Sequence, residues 1–177
     1  LRSPGGPATI DGHRVTASRR PPHIGEHNTE ILGGLSGERS DSVGPGDDAA
    51  TLPPAELPFE GLKVADFSWI GVGPITAKSL ADHGATVIRV ECNKRLDALR
   101  LNPPFKDGDF NIDKSQFFGT FNTSKLGIDI DLKTDGGMDV ALRLIEWADV
   151  VIDSFTPGAM ARLGLGPEDV AKVNPGA

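Results

Sequence analysis

The apolar pattern changes period between Leu62 and Glu91 (LKVADFSWIGVGPITAKSLADHGATVIRVE). Leu62–Phe67 is a short apolar run. Gly71, Gly73 and Pro74 supply a turn, with Pro74 as the first helical residue because its fixed φ suits a helix start. Ile75–His83 reads as a short helix and Gly84 as its stop. Thr86–Val90 is β-branched and apolar at alternate positions, which predicts a second strand. Strand, helix and strand at this spacing form a βαβ unit, hence a parallel sheet covered by helices. Ligands of such sheets sit where strands end and helices begin. Function should therefore touch Ser68–Pro74 and the segment after Glu91.

Leu126–Leu132 alternates strictly and predicts a strand with one apolar face. Thr134 can cap the next helix, with Asp135 favourable at its positive end, although Gly136 and Gly137 weaken the first turn. Met138, Ala141, Leu142 and Ile145 form a helical stripe wide enough to pack on a sheet. Asp149–Ile152 is a further strand, and Pro157–Leu163 and Pro167–Val173 are short helices. The order predicts an α/β fold, a Rossmann-like parallel βαβ layer, incomplete, over residues 58–177. Cys92–Ser115 shows little pattern and reads as a long loop, functional or mobile. Upstream, Leu1–Arg20 reads as loop or extended edge, and Gly25–Leu35 as about two turns of helix, marginal without packing. Residues 36–57, dominated by Gly, Ser, Asp, Pro and Ala, read as a flexible linker. The α/β layer is thus preceded by a loosely held, mostly irregular tail (1–35) and that linker.

Composition narrows the function. The chain has 177 residues, enough for one modest domain. The net charge of −7 and the lack of a basic stripe argue against nucleic acid. One cysteine, Cys92, excludes an internal disulfide and a cysteine-based zinc site and suits a reducing cytosol. No apolar run approaches the ~20 residues of a membrane span, and no signal peptide is visible. A start at Leu1 and a stop at Asn174-Pro175-Gly176-Ala177 suit a piece of a longer protein.

Several motifs carry competing readings. Gly71-Val72-Gly73-Pro74-Ile75-Thr76 is a partial dinucleotide fingerprint, with Glu91 ~20 residues on where a ribose-binding acid would stand. Thr76 replaces its third glycine, so a plain βα turn is the stronger reading. His23–His27 (HIGEH) fits a zinc-peptidase pattern, but Pro22 and Gly25 support a firm helix poorly. Trp69 is core filler or a pocket wall. Cys92, near Lys94 and Arg95, is an activated thiol or a small apolar filler. Lys125 and Arg162 are solvated charges or phosphate ligands. Asp149 and Asp153 read as caps or loop acids.

From Leu57 to Ala177 the chain resembles the N-terminal part of the class III CoA-transferases, the formyl-CoA and carnitine CoA-transferase family. The matching motifs are GLKVADFS at 61–68, Gly73-Pro74, LADHGATVIRVE at 80–91, NTSK at 122–125 with DLKT at 131–134, and ADVVIDSFTPGAMARLGL at 148–165. The opening block resembles the other end of the same family, through RRPPHIGEHNTEIL at 19–32. The chain therefore looks like the junction of a tandem-fused pair, the tail of one copy, a linker and the head of the next. The resemblance implies transfer of CoA from an acyl-CoA to a carboxylic acid acceptor, without a metal, through an aspartate nucleophile expected beyond Ala177. It implies that Trp69 and Gly71 border the reaction centre. Lys125, Ser154, Phe155, Arg162 and Leu163 would line the nucleotide end of coenzyme A, with Arg162 on phosphate. Cys92 and Leu126 stand where relatives often carry basic residues, and Lys94 or Arg95 could substitute for the first. Relatives form interlocked ring dimers, which a fused pair could build within one chain as a pseudo-dimer. The expected compartment is the cytoplasm. The alternatives are an acyl-CoA racemase or lyase of the same superfamily, a non-catalytic copy serving assembly, and an NAD-binding dehydrogenase.

Overall fold

A computed structural model describes residues 9–10, 12–36 and 57–177. Of the expected linker, all but Ser36 and Leu57 lies outside the described residues. In chain order the elements are β1 (Thr9–Ile10), β2 (His13–Arg14), α1 (Asn28–Ser36), β3 (Lys63–Asp66), α2 (Val72–Asp82), β4 (Thr86–Glu91) and α3 (Ala98–Leu101). After a 3-10 turn at Lys106–Gly108 come α4 (Gln116–Asn122), β5 (Leu126–Asp129), α5 (Asp135–Trp147), β6 (Val150–Ile152), α6 (Ala159–Arg162) and α7 (Pro167–Val173). β1 and β2 pair antiparallel. The other four strands form one sheet in the order β5-β4-β3-β6, with every pairing parallel. This is the α/β layer that the alternation of apolar residues predicts.

Two boundaries differ from expectation. α2 begins at Val72 with Gly71 as its N-cap, so Pro74 is the third helical residue rather than the first. That position tolerates proline because first-turn N–H groups have no partner within the helix. The segment 92–115, expected as a patternless loop, contains α3, the 3-10 turn and four buried residues, Asp97, Leu99, Arg100 and Ser115.

The two faces of the sheet bury different things. Ala65, Phe67, Ile88, Val90, Leu126 and Ile128 pack with Ala141, Leu144 and Ile145 of α5 and with Ile31 of α1. On the other face, Val64 and Val87 pack under Ala77 and Ala81 of α2. Strand periodicity places Asp66, Arg89 and Glu91 on that same second face, and all three are buried.

Residues 22–31 of the opening segment are not loosely held. β5 is an edge strand, and an uncovered edge leaves a row of unpaired backbone groups. The His27 N–H donates to Gly127 O at 3.1 Å, and the Gly127 N–H donates to His27 Nδ1 at 3.0 Å. The Asp129 N–H donates to Asn28 Oδ1 at 2.9 Å. Gly127 lets the tail come this close, since a Cβ there would stand 2.9 Å from Pro22 Cβ. Ile31 then enters the core at 1% exposure. The three polar side chains of the HIGEH motif point to separate partners: His23 to Asp113, Glu26 to Arg20, and His27 to the β5 edge.

Candidate functional site

Between β3 and α2 the chain makes a turn whose side chains face inward and outward in succession. Ser68 is buried, Trp69 is partly covered and Ile70 is exposed. Ile70 takes φ +60°, a left-handed conformation unusual for a β-branched residue. Gly73 is required by packing, because a Cβ there would stand 2.2 Å from Ser68 Cβ.

A buried charge network supports this turn from below. Asp66 accepts hydrogen bonds from Lys125 Nζ at 2.8 Å, from the Ser68 N–H at 3.0 Å and from the Ser68 hydroxyl. Burial alone would raise the Asp66 pKa, but the charges of Lys125 and Arg89 outweigh it and hold the carboxyl below its usual range. Burial brings the Lys125 amine down to about 8 despite Asp66. Arg89 donates to Ser68 O at 3.0 Å and pairs with Asp97. Asp97 in turn accepts from the Ile70 N–H at 3.3 Å and caps α3 through the Leu99 N–H at 2.9 Å. Arg100 donates to both oxygens of Glu91, to Asp113 at 2.8 Å and to Pro22 O at 2.9 Å. Its guanidinium lies 3.5 Å from the centre of the Phe118 ring. Strand β4, the loop after it and the tail are thus joined through one side chain.

Above the turn lies a cleft of about 330 Å³. Trp69, Phe155, Leu163, Ile130 and Leu132 supply apolar wall, and the polar lining comprises Cys92, the cations Lys94, Arg95 and Lys133, and the carboxylates Glu91 and Asp131. The Trp69 and Phe155 rings are 5.8 Å apart and tilted by 57°. Ser154 Oγ holds the Trp69 backbone, accepting from its N–H at 3.0 Å and donating to its carbonyl at 2.8 Å. The Arg95 guanidinium stands over the Trp69 ring, 5.1 Å from its centroid. Lys94 pairs with Asp131 at 3.0 Å, a hydrogen bond that raises the lysine pKa and lowers that of the acid. An apolar, partly aromatic slot whose lining carries three cations and two carboxylates is suited to a planar, anionic ligand such as a nucleotide.

The structure brings four of the seven residues singled out from sequence into one place: Trp69, Ser154, Phe155 and Leu163. Gly71 caps α2 at the same end of the sheet, with open space where a side chain would be. Arg162 is exposed at the end of α6, outside the cleft lining, with its guanidinium beside Gly158. Lys125 corrects the expectation attached to it. Its three ammonium donors meet three acceptors, Asp66, Pro74 O and Asn122 Oδ1, and its side chain has no exposed surface. It supports the turn from inside and offers no donor to a phosphate. Sequence reasoning passed over Asp66, Arg89, Asp97 and Arg100. The available signal was a charge inside an apolar strand, Asp66 in KVAD and Arg89 in TVIRVE.

The acetyl-CoA:oxalate CoA-transferase of Acetobacter aceti is 36% identical over 118 residues, covering 67% of this chain and 29% of that protein. The CoA-transferase/lyase DddD of Marinomonas is 41% identical over 110 residues, covering 62% of this chain and 11% of that protein. A crystal structure of a CAIB/BAIF family protein from Brucella suis superposes with a TM-score of 0.59 at 35% identity, over 66% of this chain and 31% of that one. The chain thus spans under a third of the length of each of these relatives. Residues 59–176 match the sequence pattern of CoA-transferase family III, and the chain belongs to that family.

Proposed function

We propose that this chain is part of an acyl-CoA:carboxylate CoA-transferase and contributes part of its CoA site. The observation that carries the reading is the aromatic slot of Trp69 and Phe155 at the C-terminal edge of the sheet, with cations along its rim. In this reading adenine lies between the aromatic and aliphatic walls. Ser154 fixes Trp69, Gly71 borders the reacting thioester, and Arg162 reaches a phosphate from outside the slot. The attacking carboxylate comes from the part of the protein beyond Ala177. Attack on the thioester carbonyl forms a mixed anhydride and releases the CoA thiolate; the thiolate then attacks the enzyme-side carbonyl of that anhydride, which expels the first acid as its carboxylate and leaves an enzyme–CoA thioester, and the acceptor acid takes the CoA from it by the same two steps in reverse, which frees the enzyme carboxylate. The second substrate is that acid. The proposed compartment is the cytosol, where a free thiol such as Cys92 stays reduced.

The same proposal covers the junction. Residues 1–35 are the tail of a preceding copy, 36–57 the linker and 58–177 the head of the next. The close fit of the tail on β5 supports this. So does the length of one relative. There, 110 residues make 11% of the protein, against 118 residues making 29% of another, so the first is more than twice as long. That long relative is named a CoA-transferase/lyase, which favours a CoA lyase as the second reading. A dehydrogenase has less support, because Glu91, the expected ribose ligand, is engaged by Arg100. A non-catalytic copy serving assembly predicts no CoA binding at this slot.

The test uses the full-length protein. Trp69→Ala and Phe155→Ala should each weaken CoA binding by calorimetry about tenfold or more, the loss expected when a stacked aromatic is removed. Arg162→Ala should weaken it as a lost phosphate contact does. Unchanged affinity in all three variants would remove the slot from the CoA site. Transfer to a carboxylic acid, against release of free product without an acceptor, separates transferase from lyase.

A further inference from the structure

We infer that the Lys125 ammonium is a positioning group for the cleft: its proton keeps Ser68 and Trp69 in the shape that forms the wall, and loss of that proton releases the ligand. This rests on the CoA reading above and goes beyond it by making affinity depend on a buried group that touches no ligand.

Each donor of this ammonium reaches a different element. Nζ donates to Asp66 Oδ2 on β3 at 2.8 Å, to Pro74 O in the first turn of α2 at 2.9 Å, and to Asn122 Oδ1 at the end of α4 at 2.9 Å. An ammonium has three N–H groups and a neutral amine two, so one of these contacts loses its donor when the proton leaves. Asp66 divides its oxygens between two tasks. Oδ2 meets Lys125, while Oδ1 accepts the N–H and the hydroxyl of Ser68. Those two bonds set the chain direction just before Trp69, whose backbone Ser154 pins from the other side. Without the Lys125 charge, Asp66 keeps Arg89, whose Nη1 is 3.6 Å away and already donates to Ser68 O. A carboxylate drawn toward Arg89 carries Ser68 with it. Beneath the turn the buried charges balance, Arg89, Arg100 and Lys125 against Asp66, Glu91 and Asp97. Deprotonation leaves one buried negative charge in excess, which a low-dielectric interior opposes. The elements packed on Lys125 add no further charge at its amine: Lys78 and Asp82 of α2 pair with each other, and α4 carries none. Burial lowers the Lys125 pKa most, Asp66 raises it, Arg89 lowers it and Glu91 raises it, to about 8. The proton is therefore held below about 8 and lost above it. Binding that needs the proton weakens as pH rises through that value, and by reciprocity the ligand holds the proton on.

Cys92 lines the cleft and is partly exposed, so its alkylation reports occupancy of this cleft. In the full-length protein, Cys92 modification by iodoacetamide is followed by peptide mass spectrometry against rising 3′,5′-ADP, the thiol-free nucleotide end of CoA. Protection is compared at one pH within one variant, so changes in the intrinsic rate cancel. In the natural protein the half-protecting concentration should rise about tenfold between pH 7 and 9.5, the effect of ligand shifting one pKa by about one unit. Lys125→Arg keeps a charge that is not lost in this range, and its profile should be flat whatever its absolute affinity. Asn122→Asp places a carboxylate on the amine, which holds the proton more tightly, and the midpoint of the rise should move to higher pH. A titrating thiol at Cys92 is common to all three proteins and would give all three one profile. Equal half-protection at pH 7 and 9.5 in the natural protein overturns the inference and leaves the slot reading intact. So does a natural-like rise in Lys125→Arg, or an unmoved midpoint in Asn122→Asp. Failure of 3′,5′-ADP to protect Cys92 in the natural protein at pH 7 overturns both.

Discussion

Arg100 shows how a charged residue can belong to the interior. Its fork is shared among Glu91, Asp113 and Pro22 O, and its face lies on Phe118. A buried pair is costly to assemble, but removing one partner strands the other. Arg100→Leu should therefore destabilise the protein by about 3–5 kcal/mol, read from the denaturant midpoint. A loss below about 1 kcal/mol would mean that Glu91 finds water or another cation. The glycines of the turn make a contrasting pair. Gly73→Ala pushes a methyl against Ser68, 2.2 Å away, and should cost about 1–3 kcal/mol. Gly71→Ala meets open space at a negative φ of −73° and should cost under about 1 kcal/mol. Equal losses at the two sites, measured by thermal melting, would contradict the close approach of Gly73 to Ser68.

At the scale of elements, much of the layer was legible and the reason is periodicity. Thr86–Val90 and Leu126–Leu132 alternate, and Met138 to Ile145 repeat as a helix, because each element has one face that must leave water. The register of β4 against β5 and the closure of α2 over Val64 and Val87 follow from those faces. What escaped was polar. Asp97 and Arg100 read as loop charges because hydropathy scores a residue alone, whereas their burial depends on partners at 89, 91 and 113. The docking of α1 escaped for a similar reason. His27 and Asn28 satisfy strand groups a hundred positions away, and nothing local marks them as edge caps. Within the cleft, Trp69, Ser154, Phe155 and Leu163 were legible through family resemblance, while Lys125 misled because adjacency to a strand end says nothing about the direction of its amine.

The edge cap carries a pH dependence. His27 Nδ1 accepts the Gly127 N–H, so a proton on that nitrogen abolishes the bond. Burial lowers the His27 pKa; Glu26 and Glu30 pull it up, Arg19 and Arg20 push it down, and the net shift is downward. The unfolded chain then holds more protons than the folded one between the folded pKa and about 6.5. Stability rises with pH across that window, is complete above it, and is lost as pH falls through the folded value. Hydrogen exchange at the Gly127 amide should accelerate between pH 7 and 5 beyond the intrinsic change, and His27→Asn should flatten that dependence. An identical profile in the variant would place the titration elsewhere.

At the scale of the whole molecule, the tail and the head are joined twice, once by residues 37–56 and once through space. The spatial joint comprises the β5 edge bonds, Ile31 in the core, and Arg100 on Pro22 O. None of these contacts is made by residues 37–56. If the chain is the junction of two fused copies, this joint also seats one copy on the other, and the intact protein should sediment with the mass of one chain. A protease site placed within residues 37–56 of the full-length protein then separates the two contributions. After cutting at pH 7.5 the pieces should co-elute, and the amides of Gly127 and Asp129 should stay protected from exchange. Lowering the pH toward 5 should release that protection in the cut protein more than in the intact one, because a covalent tether raises the effective concentration of the tail at its seat. Loss of protection at both amides on cutting at pH 7.5 would show that the tail sits on β5 only because the chain holds it there, and the docked junction would fail with it.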